Sequence, residues 1–470
     1  MSFSPEAKAA AADKPGMERL AAYLCSLGPL PKQVERVARM CLLDTLGSGI
    51  YGASTAEGKC VLRAGAELSQ AQDALIWGTG QYAATDQAAL INGSLCHMRE
   101  LDDVHFSILH TGAVCVPAAL AVAQRQRCDL AQVLRAVTLG VEAIVRVSLG
   151  MDYLSHRRRG WHATATTGAF GAAAATASLL GLDERALADA MGISGSRTGG
   201  SWAFSLDNAM SKRIHPGLAA KDGIISAYLA AQGISGPHYV LEAASGGFYQ
   251  AYSDSWDLAQ LDRATERYAI QDVEYKWFAS CKSVHSPHAA ALSIYHEHPA
   301  RKPEDIRQIT VEVNSSAWAN ASGMYEPDSV ISAQLSIPFG IALGLYGRQG
   351  QATDYEPQSL QNSSLFRLAS KVRVVISEEM DALRKAELKS GAILHVEWQD
   401  GQKAQAKVST PKGTMANPLS QEDIIYKFKG LTEHIIGKNQ TAALIEMILN
   451  GPRHTPVSEL CALLIPHKIN

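Results

Sequence analysis

The sequence predicts a mainly α protein, built as a large all-helical domain plus a smaller α+β domain. Three observations carry that expectation. Apolar residues recur at helical spacing from about Met17 to Gly246, strand-like alternation begins after about Asp272, and helical periodicity returns from Ser420 to Leu464. The expected divisions are residues 1–271 for the helical domain, 272–410 for the α+β domain, and 411–470 for C-terminal helices that return to the first domain. A chain of 470 residues is also too long for a single core.

The elements follow in order. Val34-Glu-Arg-Val-Ala-Arg-Met-Cys-Leu-Leu-Asp44 places its apolar residues on one helical face, and Leu130 to Val147 repeats the pattern. Asp129 stands where an N-cap would accept from the first free N–H groups of that second helix. Ala163 to Leu182 is mostly Ala, Gly and Thr. Small side chains let backbones approach closely, so a central, enclosed helix is expected there. It is too short and too rich in alanine and glycine to span a bilayer. Ile306 to Val313 alternates like a strand, Val372 to Ile376 is β-rich, and Ile393–Trp398 and Ala404–Val408 flank Asp400-Gly401, a hairpin signal. Helices are expected at His285 to His296 and Gln334 to Tyr346, with a linker over Pro411 to Pro418.

Composition narrows the function. Apolar residues make up 47% and charged residues 19%, with a net charge of −3, so no polybasic surface recruits nucleic acid. Cys25, Cys41, Cys60, Cys96, Cys115, Cys128, Cys281 and Cys461 are scattered with no Cys-x-x-Cys pair. That spacing disfavours a zinc ribbon, an iron–sulfur cluster or a disulfide scaffold, and suits a reducing compartment. The N-terminal stretch carries Glu6 and Asp13 and lacks an apolar run of signal-peptide length. A cytoplasmic protein with no membrane partner is expected.

Four segments concentrate proton-moving and anion-holding side chains. The first runs from Glu100-Leu-Asp102-Asp103-Val-His105 to His110; the others are Gly160-Trp-His162, Lys212-Arg-Ile-His215, and Lys276 with Cys281 and His285. Carboxylates and imidazoles exchange protons, and lysines hold carboxylates as point charges. Asp and His also suit zinc or manganese, yet neither His-x-x-x-His nor His-Glu-x-x-His occurs here. An acid-capped helix start with surface histidines is the plain structural alternative. His162 opens the small-residue helix, where the helix dipole and free N–H groups favour a neutral imidazole. Arg157-Arg-Arg159 before it reads as a solvated turn that can draw in anions. The Lys212 segment is expected in a loop ahead of a helix. Gly78-Thr-Gly-Gln-Tyr-Ala83 mimics a dinucleotide fingerprint but lacks the strand–helix–strand rhythm that gives it meaning. Gly192 to Ser201 lacks the Gly-Lys-Ser/Thr ending of a P-loop and reads as a flexible loop.

In this order the four segments resemble the MmgE/PrpD family, which includes 2-methylcitrate dehydratase, cis-aconitate decarboxylase and iminodisuccinate epimerase. The resemblance extends from the helix around Asp44 to the segment near Ile424. It implies a helical domain that includes the C-terminal tail, an α+β lid, a homodimer, and a site between helical domain and lid that uses neither metal nor cofactor. It assigns Lys212 and Lys276 to substrate carboxylates, His110 and His162 to proton transfer, and Asp102 to orienting an imidazole. Glu100, His215, Cys281 and His285 complete the implied substrate contacts. The chain departs from the common dehydratase pattern Asp-Phe-Asp-Asp-Thr, having Glu100-Leu-Asp-Asp-Val104, and Phe339 stands where relatives often have a tyrosine. The form Glu-Leu-Asp-Asp-x-His with Leu109-His110 is more similar to fungal cis-aconitate decarboxylases.

The expected function is therefore a cofactor-independent lyase acting on a small di- or tricarboxylate, by dehydration or decarboxylation. An epimerase of a dicarboxylate needs the same proton-moving groups without elimination. A non-catalytic polyanion-binding protein is the alternative from outside enzymology.

Overall fold

The computed structural model describes residues 14–207, 209–323, 325, 327–387 and 389–466. The N-terminal stretch with Glu6 and Asp13 lies outside them. The chain divides into two compact units: residues 1–98, 102–273 and 421–470 form the first, and residues 99–101 with 274–420 form the second.

The first unit is a stack of helices around Ala163–Leu180, whose residues 163–177 are all buried. Leu130–Leu149, Gly112–Gln126 and Ser211–Ala231 pack on it, and Thr85–Cys96 packs on Ser211–Ala231. The small residues permit this closeness. A Cβ on Gly171 would lie 2.8 Å from the Gly140 carbonyl oxygen, and a Cβ on Gly140 would lie equally near the Gly171 carbonyl. A methyl at either position forces the two backbones apart.

Asp129 caps the Leu130–Leu149 helix: its carboxylate accepts from Gln132 N–H, and the Gln132 side chain accepts from Asp129 N–H, both at 3.0 Å. The helix Gln421–Ile436 packs along Lys32–Ser54, joined by a buried Lys427 Nζ to Asp44 Oδ1 bond of 2.7 Å. Gly78 and Gly80, both at positive φ, belong to a hairpin turn between the short antiparallel strands Ala74–Ile76 and Gln81–Ala83. Residues 192–195, expected as loop, finish the helix Glu184–Gly195.

The second unit holds a four-stranded sheet in the order Val372–Ile376, Ile306–Val313, Ala392–Trp398, Lys403–Val408. The first pair is parallel and the other two are antiparallel. Asp400-Gly401 makes the hairpin turn, with Gly401 at φ 81°. Lys282–Glu297 covers the Ala392–Trp398 and Lys403–Val408 strands and packs on Ile337–Leu345. The helix expected over Gln334 to Tyr346 is broken at Leu335 and restarts where Ser336 caps Phe339 N–H. The molecule is mainly α with a smaller α+β part. Among the described residues no helix is long and apolar enough to cross a membrane.

Candidate active site

The acid-rich segment begins where the Thr85–Cys96 helix ends. His97 is its C-cap, and two non-glycine residues at positive φ, Glu100 (51°) and Ile108 (64°), fold the following chain back on itself. Such backbone is costly and persists where surrounding contacts hold it. The fold-back gathers His97, Asp102 and His110, all buried. His97 Nδ1 lies 3.0 and 2.9 Å from the two Asp102 carboxylate oxygens. His110 Nδ1 lies 3.0 Å from Asp102 Oδ2 and 2.9 Å from the Asp103 carbonyl. Burial pushes the Asp102 carboxyl up, but attraction to His97 and His110 and the bonds from both rings outweigh it and hold it well below the usual range. The carboxylate thus accepts from both rings. With a proton on Nδ1 held by these acceptors, His110 presents Nε2 as the atom that exchanges protons.

His162 is the N-cap of the small-residue helix and is buried. Its Nδ1 lies 2.9 Å from His215 Nδ1. Burial first, then the Lys212 charge, lowers both imidazoles, His215 to about 4 and His162 well below the normal value. Two neutral rings sharing an Nδ1–Nδ1 hydrogen bond must be opposite tautomers. One then carries a bare Nε2 and the other an Nε2–H, a base and an acid side by side. Trp202 and Phe204 pack edge-on against His162, with ring centroids 5.4 and 5.9 Å away. Lys212 is 5% exposed. It sits with His215 in the first turns of Ser211–Ala231, and not in a loop as the sequence suggested. Arg213 from the same turn donates to the His97 carbonyl at 3.0 Å, tying this helix to the acid segment.

In the second unit Lys276 Nζ donates to Glu100 Oε2 at 2.8 Å, with the two side chains only 1% and 2% exposed. His285 is buried and donates from Nε2 to the Ser280 carbonyl. Its pKa is well below normal through burial and the Lys282 and Lys276 charges. Its Nδ1 is buried with no hydrogen-bond partner among the described residues. Cys281 is the half-buried N-cap of Lys282–Glu297, and its N–H bonds the Gln334 carbonyl. Phe339 is fully buried, with the Tyr355 ring 6.0 Å away.

Asp102, His110, His162, Lys212 and His215 therefore belong to the first unit, and Glu100, Lys276, Cys281 and His285 to the second. His105 turns aside to Ser107, with Nδ1 2.7 Å from Oγ. The residue missed from sequence is His97. Its signal was an imidazole just ahead of the acid run, hidden because it ends a helix whose pattern explains it as packing.

Among the described residues the histidine and acid side chains grouped closely enough to hold a metal are His97, Asp102 and His110. Their contacts of 2.9 to 3.0 Å are direct hydrogen-bond lengths. Ligands about 2.0–2.2 Å from a tetrahedral zinc stand roughly 3.3–3.5 Å apart, so an ion would have to spread the three groups.

These buried groups couple stability to acid. His105 is lowered to about 3, and His156, His215 and His288 each to about 4, all mainly by burial. Between pH 6.5 and 4 the unfolded chain binds protons that these folded imidazoles refuse, so each costs about 1.4 kcal/mol of stability per pH unit as pH falls. Asp103, raised to about 7 by burial, acts in the opposite sense, since the folded form keeps a proton that the unfolded form loses. Burial also raises the Glu142, Asp222, Glu242 and Asp354 carboxyls, but His162 and His285 are lowered too, so the imidazoles outnumber the raised carboxyls. The thermal melting midpoint is expected to drop steadily from pH 6.5 to pH 5, and a midpoint that rises across that window would contradict these assignments.

Two family models match the chain: the MmgE/PrpD N-terminal domain over residues 18–261 and the MmgE/PrpD C-terminal domain over residues 278–450. The chain is 27% identical over 457 residues to the cis-aconitate decarboxylase-like protein oryM of Aspergillus oryzae, covering 93% of this chain and 94% of that one. It is 26% identical to the cis-aconitate decarboxylase of Aspergillus terreus over 463 residues and to that of Homo sapiens over 462, each covering 93% of this chain and 92% of the relative. The chain belongs to the MmgE/PrpD family.

Proposed function

We propose that the protein is a lyase that removes CO2 from an unsaturated tricarboxylate of the cis-aconitate class, with no metal. The observation that carries this reading is the pairing of an Asp102-anchored His110 with the His162–His215 couple, the His110 and His162 rings 6.4 Å apart, in the same unit as buried Lys212. Relatives named for decarboxylation of cis-aconitate, matched over nearly their full length, supply the substrate class.

Lys212 holds a substrate carboxylate. The bond from the departing carboxylate to its carbon breaks, and its electron pair forms a new carbon–carbon double bond. The pair of the old double bond takes a proton from the Nε2–H of protonated His110. CO2 leaves, and His110 regains its proton from solvent. Asp102 stabilises the imidazolium that this cycle requires. The opposite tautomers of His162 and His215 favour dehydration as the second reading, because elimination of water uses one base and one acid.

The protein acts as a homodimer in the cytoplasm. Exposed Leu154, Leu206 and Met210 on the first unit are apolar side chains that a second copy would cover, and the eight free cysteines suit a reducing compartment.

The test is a CO2-release assay on chelator-treated protein with cis-aconitate, 2-methylcitrate and iminodisuccinate in parallel. CO2 from cis-aconitate alone is expected. Activity lost to the chelator and restored by a divalent ion would contradict the metal-free reading. Lys212→Ala is expected to raise KM by about 100-fold or more, the cost of one lost charge-assisted contact. A fall confined to kcat would move Lys212 from carboxylate binding to the chemistry.

A further inference from the structure

We propose that Asp103 is the positioning residue of His110, fixing both its tautomer and its place through two separate groups. The proposal rests on the reading of His110 as the proton donor. Asp102 alone does not explain how His110 is held, because its Oδ2 atom lies within bonding distance of both His97 and His110. The second acceptor for His110 Nδ1 is the Asp103 main-chain carbonyl at 2.9 Å.

That carbonyl is placed by the Asp103 side chain. Its carboxyl oxygens lie 2.9 and 3.0 Å from Gly112 N, and Oδ2 accepts from the Thr111 hydroxyl at 3.2 Å. Cys41 Sγ stands 3.7 Å from the same oxygen. One residue therefore grips the ring of His110 with its backbone and the two residues after it with its side chain. Gly112 admits no larger side chain, since a Cβ there would lie 2.4 Å from Thr45 Oγ1 and 2.7 Å from Asp103 Oδ2. His110 N–H itself donates to Thr164 Oγ1 at 3.1 Å, so the corner is fastened on both sides. The clamp leaves Nε2 as the one ring atom of His110 open to proton exchange.

Asp103→Asn tests this. An amide presents N–H groups to Gly112 N–H and so cannot reproduce both oxygen contacts. Thr111→Val removes a single hydroxyl donor at nearly constant volume and serves as the gentler variant. Two readouts are taken: the 15N signals of the His110 ring in histidine-labelled protein, and kcat and KM with the turned-over substrate. Wild type is expected to show His110 with its proton on Nδ1. Asp103→Asn is expected to shift the ring toward a tautomer mixture and to lower kcat by about tenfold or more with little change in KM, and Thr111→Val to do the same more weakly. Unchanged ring signals in both variants would overturn the proposal, whatever happens to kcat. If Asp103→Asn does not fold, Thr111→Val decides alone. The ring signals require no turnover, so they report on the clamp even if the reaction assigned to the site is wrong.

Discussion

Replacing His110 with alanine is expected to lower kcat by about 100- to 10,000-fold while KM changes by no more than about threefold. The reason lies in where the ring is held. Asp102 is buried, ionised and hydrogen-bonded to His110 Nδ1, so the charge that stabilises a protonated His110 is already in place before substrate arrives. Removing the imidazole takes away the proposed proton donor and leaves the carboxylate paired with His97. Lys212, proposed to hold a substrate carboxylate, is untouched, which is why KM should hold. His162→Ala is expected to act in the same direction. A large rise in KM with kcat preserved would show that His110 binds and does not donate.

The second large effect is expected at Lys276, and on two properties at once. Its ammonium and the Glu100 carboxylate form an almost fully buried pair. Lys276→Ala would remove one partner of a buried charge, and such losses cost about 3–5 kcal/mol of stability. Lys276→Met with Glu100→Gln removes both charges and should recover most of that stability, because two neutral groups need no mutual compensation. It should not recover substrate affinity if Lys276 holds a carboxylate, so KM stays high in a protein that melts nearly as wild type does. Recovery of both together would make the pair structural.

Local patterns were legible where the chain makes its contacts with near neighbours. The capping pair of Asp129 and Gln132, the alternation over Ile306–Val313 and the Asp400-Gly401 turn are decided within a few residues, and each stands as read. The close helix packing expected over Ala163 to Leu182 also stands in the helix Ala163–Leu180, since small side chains state it directly. The misreadings have distant causes. The Lys212 segment was expected in a loop, yet Ser211–Ala231 is continuous through Pro216 and Gly217. Gly217 is there because another helix passes close by: a Cβ on it would lie 2.0 Å from the Leu90 carbonyl oxygen. The pairing of Lys276 with Glu100 spans 176 positions, and the meeting of His162 with His215 spans 53. Residue types marked these side chains as candidates, but which imidazole meets which carboxylate is a property of the folded backbone. His97 escaped for the same reason, because its partner Asp102 reaches it only through the turn at Glu100.

Whether an imidazole of this site delivers the proton as a carboxylate leaves is decided by proton NMR of chelator-treated protein turning over cis-aconitate in deuterated buffer. The expected product has lost CO2 and carries one deuterium on the carbon that was the alkene CH, with product formation collapsing in His110→Ala. Deuterium exchange without loss of CO2 or water, or unaltered product formation by His110→Ala, would contradict this expectation.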